Sequence, residues 1–441
     1  MRFGVFILAL AIRIVAIEVT GASQVRFGDA GDYLDTARSV CSEQVYPERG
    51  NLPFFRPPGL PFFIAGVTGC GGAGVRGIKY ALAACDAATV VVIFELGLLL
   101  FGKLAALLAS LAAALYPFFI FSTTDVRSEP LFMLLLTLSI LLLLRGNFAG
   151  SGVAVALAAL TRPTALLCLP LFALFAGYGV TGSRGRVVDA QPRDPATPQP
   201  RGRTAAASLL IAGFLTLAPW VARNYLRFGE LILVNDAGSY SVWHASHPDT
   251  RRIYDAKTRE ELRRLEHQFE NVTIHAVAAQ VESRATTPNS RDREWRRLAI
   301  ADLRREPAES ARFMRRKAWL YWRPWLNPLE YGTRAVVASA VILVTLFVLA
   351  AIGLRRHPLR NAVLVYVAVF WLAHIPHQVV MRYRIPFTDP LLLVFAAGAI
   401  ARCSVGLRPA SSAEGRPEAH TTRSLRRAGA DADSRDRSAA T

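Results

Sequence analysis

The sequence VVASAVILVTLFVLAAIGL at residues 336–354 contains no charged side chain over 19 consecutive positions. An α-helix rises about 1.5 Å per residue, so this stretch nearly matches the roughly 30 Å hydrocarbon core of a bilayer. Similar apolar runs occur at Leu96–Leu100, Leu104–Leu115 and Leu131–Leu144. The 441-residue chain is 52% hydrophobic and has a mean hydropathy of +0.30. These features predict an integral membrane protein, because a soluble chain of this length needs a polar exterior.

The apolar segments predict an all-α polytopic membrane protein with ten transmembrane helices. The predicted spans are Phe3–Val19, Gly77–Leu100, Leu104–Ser122, Glu129–Leu144, Ala149–Leu160, Thr164–Tyr178, Ala205–Val221, Val336–Leu354, Ala362–Pro376 and Phe387–Ile400. The apolar piece Leu60–Gly69 is too short to cross and is expected at the interface. Charge pairs at helical spacing within 222–333 predict a small helical region outside the membrane.

Two of these segments leave an alternative open. The first span can be a cleaved signal peptide or an uncleaved anchor, and Arg13 and Glu18 within it favour the anchor. Charges inside a span usually face the interior of the bundle. Around Thr161-Arg162-Pro163 the chain can form two short helices that meet at a turn, or one broken helix.

Basic residues orient the chain. With the N-terminus in the cytoplasm, Lys103, Arg145, the arginines of 184–203, Arg355-Arg356 and the tail all fall on the cytoplasmic side, as the positive-inside rule requires. The loops 20–57, 222–333 and 377–386 then share the extracytoplasmic face. The predicted organisation is a membrane module at 1–221, an extracytoplasmic region at 222–333, membrane helices at 334–402 and a disordered cytoplasmic tail at 403–441.

The net charge of +18 comes almost entirely from arginine. In a membrane protein such charge is explained by anionic lipid, and no nucleic-acid-binding module accompanies it, so we expect no nucleic-acid partner. Cys41 and Cys70 can both lie outside the cytoplasm, but we expect free thiols rather than a disulfide. The sequence shows no metal-ligand spacing, and we expect no metal.

The first outer loop contains the residues with the clearest chemical potential. Asp29 stands at the start of a predicted helix, where a carboxylate can cap the backbone amides or act as a base. Asp32 follows on the same helix, where we expect a solvated position, and Tyr33 comes next. Arg56 precedes Pro57-Pro58-Gly59; its guanidinium can reach lipid headgroups or hold a substrate phosphate.

These residues resemble the first outer loop of GT-C glycosyltransferases, in particular the bacterial glycosyltransferase family 39 group, which is related to protein O-mannosyltransferases and lipid A aminoarabinose transferases. The resemblance covers about residues 1–400. Its further motifs are Ser128-Glu129-Pro130-Leu131-Phe132, Leu160-Thr161-Arg162-Pro163-Thr164, Pro219-Trp220-Val221-Ala222-Arg223-Asn224-Tyr225 and Arg382-Tyr383-Arg384-Ile385-Pro386.

The resemblance implies transfer of a sugar from a polyprenyl-phosphate donor to a glycan, lipid or protein hydroxyl, with inversion and without a cofactor. The role of base falls on Asp29. The family often has a second acid directly after this position, whereas this chain has Ala30, and Asp32 is the reserve candidate. The candidate substrate-binding residues are Asp32, Tyr33, Arg56, Arg223, Arg382, Tyr383 and Arg384. Arg382 and Arg384 are expected at the membrane surface, where they would either neutralise the donor phosphate or form part of a belt of arginines that reach lipid headgroups.

The expected location is the plasma (inner) membrane of a bacterium, with the active site facing outward. Two other functions compete with the enzyme. A transporter or flippase of lipid-linked sugars would need polar residues deep in the spans or matched repeats, neither of which is evident in the sequence. A non-catalytic membrane scaffold predicts that changing Asp29 has no effect on activity.

Overall fold

The computed structural model describes residues 1–26, 28–48, 54–71, 74–179 and 202–406. Within these ranges every regular element is a helix, as the composition predicted. Residues 1–402 form one compact unit. The predicted flexible loop at 182–203 and the predicted disordered tail lie outside the described residues, apart from 202–203 and 403–406.

The helices follow one another along the chain. They are α1 (Arg2–Thr20), α2 (Gly28–Ser42), α3 (Gly59–Thr68), α4 (Val75–Phe101), α5 (Lys103–Ala114), α6 (Pro117–Thr123), α7 (Glu129–Leu144), α8 (Phe148–Thr161), a 3₁₀ turn (Pro163–Leu167), α9 (Cys168–Gly177), α10 (Arg203–Phe228), α11 (Gly238–Ser246), α12 (Pro248–Asp255), α13 (Arg259–Gln268), a π-helical turn (Phe269–Thr273), α14 (Ile274–Arg284), α15 (Pro288–Arg305), α16 (Pro307–Leu320), α17 (Thr333–Leu354), α18 (Arg360–His374) and α19 (Met381–Gly406).

Each of the ten predicted spans is helical, but the helices differ in length. Five of them, α1, α4, α10, α17 and α19, are long and apolar enough to cross a bilayer. Helices α5 and α6 form a sixth candidate, bent by 49° at their junction. The remaining four, α7, α8, α9 with its 3₁₀ turn, and α18, are shorter apolar helices of 10–17 residues. The chain is therefore a multi-pass membrane protein whose short helices complete the bundle. At Arg162 the chain forms a turn between two helices.

Small residues let the helices approach closely. Helix α8 packs between α7 and α10, and Gly152 lies so near α10 that a Cβ atom there would stand 2.1 Å from the carbonyl oxygen of Leu209. Helix α1 packs against α4, where the fully buried Arg13 donates to Asp86 at 2.5 Å. Arg13 also donates to the carbonyls of Ala113 and Ala114. This charge within the first span therefore faces the bundle interior, as predicted.

Ion pairs identify the two ends of the bundle. Arg2 and Arg145 both pair with Glu95, so the start of α1, the later part of α4 and the end of α7 lie together. At the other end of α1, Glu18 pairs with Arg76 at 2.6 Å. Because α7 begins at Glu129 and finishes beside Arg145, Glu129 lies at the end of the bundle opposite to Arg2.

Helices α11–α16 and the segment leading into them, residues 232–320, form what we call the polar lobe. Its aromatic core contains Tyr240, Trp243, Phe269 and Trp295. Phe54 from the first loop inserts into this core, and its ring centroid lies 5.2 Å from that of Tyr240. The helical region predicted from charge spacing is thus present, and it packs directly on the loop that carries Arg56.

The expectation of two free thiols in the first loop region was wrong, since Cys41 and Cys70 form a disulfide. Helices α2 and α3 pack on each other, and Gly69, which ends α3 in a left-handed conformation, turns the chain back so that the two cysteines meet with Cα atoms 5.2 Å apart. Their separation of 29 residues gave no sign of this contact, because it depends on how the two helices pack.

Candidate active site

Two acids on the first turns of α2 face one arginine. Asp29 and Asp32 are three residues apart, which places both on one side of the helix. Arg56 donates to Asp29 Oδ1 at 3.0 Å and to Asp32 Oδ2 at 2.5 Å through the same Nη2 atom. Its guanidinium also lies over the ring of Tyr33, 5.2 Å from the centroid. The first loop therefore folds back so that its two ends meet.

A second arginine reaches Asp29 from the far end of the chain. Arg382, at the start of α19, donates to Asp29 Oδ2 at 2.7 Å, and its Nε lies 3.2 Å from Glu129 Oε1. Glu129, at the start of α7, also pairs with Arg162 Nη2 at 2.8 Å. Five separate segments thus contribute to one charged cluster. Its members are Asp29, Asp32, Glu129, Arg56, Arg162 and Arg382.

Gly59 explains why the Arg56 loop stands beside the Arg162 turn. A Cβ atom at Gly59 would lie 2.5 Å from Thr161 Oγ1 and 2.9 Å from the carbonyl oxygen of Leu160. The start of α3 therefore packs backbone to backbone against the end of α8, which only glycine allows. The two sequence motifs are neighbours in space because of this contact.

The electrostatics of the cluster keep Asp29 ionised. Burial tends to raise its pKa, but Arg56 and Arg382 outweigh burial and lower the pKa to about 2. The side chain of Asp29 is 35% exposed, whereas those of Asp32 and Glu129 are 3% and 6% exposed. Asp29 is therefore the most accessible of the three carboxylates. A carboxylate with so low a pKa is a weak base until an arginine leaves it.

One further acid, Glu270 on the polar lobe, interacts electrostatically with Asp29. Burial raises the pKa of Glu270, and the negative charge of Asp29 raises it further. Glu270 stands on the π-helical turn, a distortion that is frequent at functional sites. Among the described residues no group of three or more His, Cys, Asp or Glu side chains is placed to hold a metal ion.

The structure separates Arg384 from the other predicted site residues. We expected Arg384 at the membrane surface, but it is fully buried, with Asp389 Oδ1 at 3.6 Å and the Phe347 ring 5.0 Å from its guanidinium carbon. Successive helical residues are about 100° apart, so two residues separate Arg382 and Arg384 by about 200° around α19. Tyr383 stays with the cluster, since both Arg162 and Arg382 lie over its ring.

Asp32 and Arg223 were both predicted to bind substrate, but only Asp32 belongs to the charged cluster. The solvated position expected for Asp32 was wrong, because Arg56 and the packed start of α2 bury it. Arg223 stands apart from the cluster. It donates to the carbonyl of Tyr46 at 3.0 Å and lies over the rings of Tyr46, Trp220 and Phe228.

Sequence reasoning did not assign Glu129 to the site and left Arg162 out of the candidates. Both stand in motifs that the sequence analysis quoted, each at the end of an apolar helix. A charged residue at such a place is often explained by the membrane interface alone. The signal that distinguishes them is their mutual ion pair, which only the folded chain shows.

An apolar cavity of about 690 Å³ adjoins the cluster. Its walls include Pro58 and Gly59 beside Arg56, and Leu131, Leu157 and Thr161 beside Glu129 and Arg162. Arg223 and Trp220 line another part of it. The six charged residues of the cluster do not line the cavity themselves, and the cation in its wall is Arg223. An apolar cavity with a cation at its edge suits an amphipathic ligand with an anionic head.

A family model matches part of the chain. Residues 55–187 match the model described as dolichyl-phosphate-mannose-protein mannosyltransferase. This segment contains Arg56, Glu129 and Arg162 but neither Asp29 nor Arg382. No curated protein sequence gives a significant match to the chain.

Solved structures are similar to the chain at low sequence identity. The archaeal oligosaccharyltransferase AglB from Archaeoglobus fulgidus, in complex with an inhibitory peptide and a dolichol-phosphate, has a TM-score of 0.51 and 12% identity over 95% of this chain and 52% of its own. The same enzyme tethered to an acceptor peptide with the NVT sequon gives 0.50 and 12% over 92% and 50%. ArnT from Cupriavidus metallidurans bound to undecaprenyl phosphate gives 0.40 and 14% over 91% and 78%.

The chain spans about half the length of the archaeal structures it matches. At these identities the likeness establishes the fold. Together with the family model it confirms the resemblance to GT-C glycosyltransferases that the sequence motifs indicated.

Proposed function

We propose that the protein is a membrane glycosyltransferase that moves a sugar from a polyprenyl-phosphate donor to a hydroxyl acceptor on the extracytoplasmic face. The observation that carries the proposal is the position of Asp29. It is the most exposed carboxylate of the charged cluster, and it is held between Arg56 and Arg382. No cofactor is part of the proposal.

The chemistry follows from the charges. The acceptor oxygen attacks the anomeric carbon of the sugar, the bond from that carbon to the phosphate oxygen breaks, and polyprenyl phosphate leaves as an anion. Asp29 takes the proton of the acceptor hydroxyl, since a positioned general base contributes typically 10²–10⁴-fold. Attack on the face opposite the phosphate inverts the anomeric centre.

The two arginines have a second role in this scheme. A donor phosphate competes with Asp29 for the guanidinium groups of Arg56 and Arg382, and contacts to phosphate are charge-assisted. When one arginine turns from Asp29 to the phosphate, the pKa of Asp29 rises from about 2 towards its ordinary value. Binding of the donor thereby makes Asp29 a stronger base at the moment when one is needed.

The apolar cavity is suited to the first isoprene units of the donor. Leucine side chains of α7 and α8 line it, and an isoprenoid chain there replaces water at apolar surface. Gly59 and Thr161 line the cavity and stand within three residues of Arg56 and Arg162 in the chain. An isoprenoid chain in the cavity would therefore have its phosphate near these arginines.

The disulfide supports the extracytoplasmic placement. Disulfides persist in oxidising compartments and are rare in the cytoplasm, and Cys41 and Cys70 belong to the end of the bundle that holds Asp29. The basic residues Arg2 and Arg145 mark the opposite end, which the positive-inside rule assigns to the cytoplasm. A bacterial inner membrane is the setting that we propose.

The alternative function is a transporter or flippase of lipid-linked sugars. Such a protein needs polar residues deep in the spans, and the structure places four of them there: Arg13, Asp86, Arg384 and Asp389. They face one another as ion pairs, and none of them lines the cavity of about 690 Å³. This favours the enzyme.

The test uses membranes from expressing cells and a labelled polyprenyl-phosphate sugar, with detection of the labelled product. Asp29→Asn keeps the shape and capping ability of the side chain but removes the base. We expect transfer to fall at least about a hundredfold. Asp35→Asn is the matched control, because Asp35 stands on the same helix, is exposed and pairs with Arg38, which lies outside the charged cluster. Normal transfer by Asp29→Asn would exclude the mechanism.

A further inference from the structure

The polar lobe contacts the backbone next to both arginines that hold Asp29. Two segments carry these arginines: residues 54–56 in the first loop, and residues 377–382 before and into α19. Residues 54–56 are not helical, and α19 begins at Met381, one residue before Arg382. Between 375 and 382 few backbone hydrogen bonds hold the chain, among them Tyr383 N–H to the carbonyl of Val380 at 3.0 Å. Their geometry depends on what they contact.

On the Arg56 side, the lobe binds both backbone groups of Phe55. The amide of Phe55 donates to Asp236 Oδ1 at 3.2 Å, and Asn235 Nδ2 donates to the carbonyl of Phe55 at 3.2 Å. Asp236 is itself held by Arg291 Nη2 at 3.3 Å. The adjoining Phe54 is inserted in the aromatic core of the lobe. The residue directly before Arg56 is thus fixed on three sides.

On the Arg382 side, the lobe binds the backbone of the segment three to five residues earlier. The hydroxyl of Tyr254 donates to the carbonyl of Val379 at 2.9 Å. Lys317, which is fully buried, donates to the carbonyls of His377 and Ala245 at 3.2 Å each. Ala245 belongs to α11, so Lys317 ties the segment to the centre of the lobe.

We propose that the polar lobe is a positioning frame, in which Asn235 and Asp236 set Arg56, and Tyr254 and Lys317 set Arg382. The inference rests on the proposed function, since it concerns residues that hold the catalytic carboxylate. The lobe's hydrogen bonds end on backbone carbonyls and amides within a few residues of each arginine. Loss of one bond moves the guanidinium and leaves the fold of the bundle intact.

The frame predicts which pairs of residues act together, and a double-mutant cycle measures this. Tyr254→Phe removes only the hydroxyl, and we expect kcat for sugar transfer to fall about tenfold, because the buried carbonyl of Val379 loses its partner. In an Arg382→Lys background, which already lacks the guanidinium that bridges Asp29 and Glu129, Tyr254→Phe lowers kcat less than about twofold. In an Arg56→Lys background it keeps its full effect.

Asn235→Ala gives the reciprocal experiment. The decrease in kcat caused by Asn235→Ala disappears in the Arg56→Lys background and persists in the Arg382→Lys background. Tyr225→Phe is the control for the hydroxyl removal, since Tyr225 is 58% exposed on α10, and it leaves kcat unchanged in every background. Thermal unfolding in detergent verifies that the single variants stay folded.

The outcomes separate the frame from the proposed function. If wild-type protein transfers sugar and Asp29→Asn does not, but Tyr254→Phe and Asn235→Ala each lower kcat by the same factor in both lysine backgrounds, the lobe only stabilises the fold and the frame is overturned. Full activity of both lobe variants overturns it equally. If the wild-type protein transfers no sugar, the proposed function itself fails.

Discussion

Arg382 and Arg384 are two residues apart in one motif, yet they belong to different regions. Arg382 is about one-third exposed and shares Asp29 with Arg56 in a cluster open to ligand. Arg384 is fully buried between α19 and its neighbours. Its partner Asp389 accepts a hydrogen bond from the hydroxyl of Tyr116 at 2.6 Å.

The comparison teaches that an arginine–aspartate pair has different uses at different exposure. Two charges removed from water must stay together, because breaking a buried pair leaves one charge uncompensated. In the open cluster an arginine that leaves Asp29 for another anion leaves behind a carboxylate that is about one-third exposed and that water can reach. Arg384 therefore has a structural position, and Arg382 is the arginine of this motif that is available to a phosphate.

The largest expected effect is on stability, at Arg384. Arg384→Ala should destabilise the protein by about 3–5 kcal/mol, since it leaves Asp389 buried without its cation. Thermal unfolding in detergent measures the change. The double variant Arg384→Met with Asp389→Leu should recover most of the loss, because it removes both charges. If Arg384→Ala has near-normal stability but uses the donor poorly, Arg384 contacts the donor and belongs to the active site.

Arg382→Ala should show the opposite pattern. We expect donor use to fall at least about tenfold, because a charge-assisted contact contributes roughly 1.5–3 kcal/mol, while the unfolding temperature changes little. The measurement is kcat/KM for the labelled donor. Arg334→Ala, at an exposed arginine near the start of α17, is the control for lost positive charge. A large loss of stability instead would make the two arginines equivalent.

Asp32→Asn tests the assignment of the two acids within the open cluster. Asp32 contacts Arg56 but not Arg382, and Asn retains one oxygen acceptor for Arg56. We expect transfer to fall by up to about tenfold, less than for Asp29→Asn, because Asp32 orients Arg56 and takes no proton. If Asp32→Asn is inactive and Asp29→Asn is active, Asp32 is the base.

The smallest effect is a dependence of stability on acid. The pKa of Asp29 is depressed to about 2 in the folded protein from an ordinary value of 3.8. Its ionised form therefore stabilises the fold above about pH 4, and this contribution is lost as the pH falls towards 2. The unfolding temperature of the wild type should fall relative to that of Asp29→Asn across this window. If the difference in unfolding temperature between the wild type and Asp29→Asn is the same at every pH, Asp29 is not paired with the arginines.

The sequence by itself determined the features that depend on local composition. Apolar runs located the helices, basic residues indicated which ends of them lie together, and the first loop supplied Asp29, Tyr33 and Arg56. The helical character of the polar lobe also followed from charge spacing. Hydropathy and helix periodicity are properties of residues close together in the chain. They can therefore be determined without knowledge of the fold.

Only the tertiary structure decided which charges meet. Asp29 and Arg382 are 353 residues apart in the chain, and Glu129 entered the cluster through partners on α8 and α19. The disulfide of Cys41 with Cys70 and the burial of Asp32 depend in the same way on the packing of α2 and α3. A charge's effect depends on distance and exposure, and these are set by helix packing, not by the order of residues along the chain.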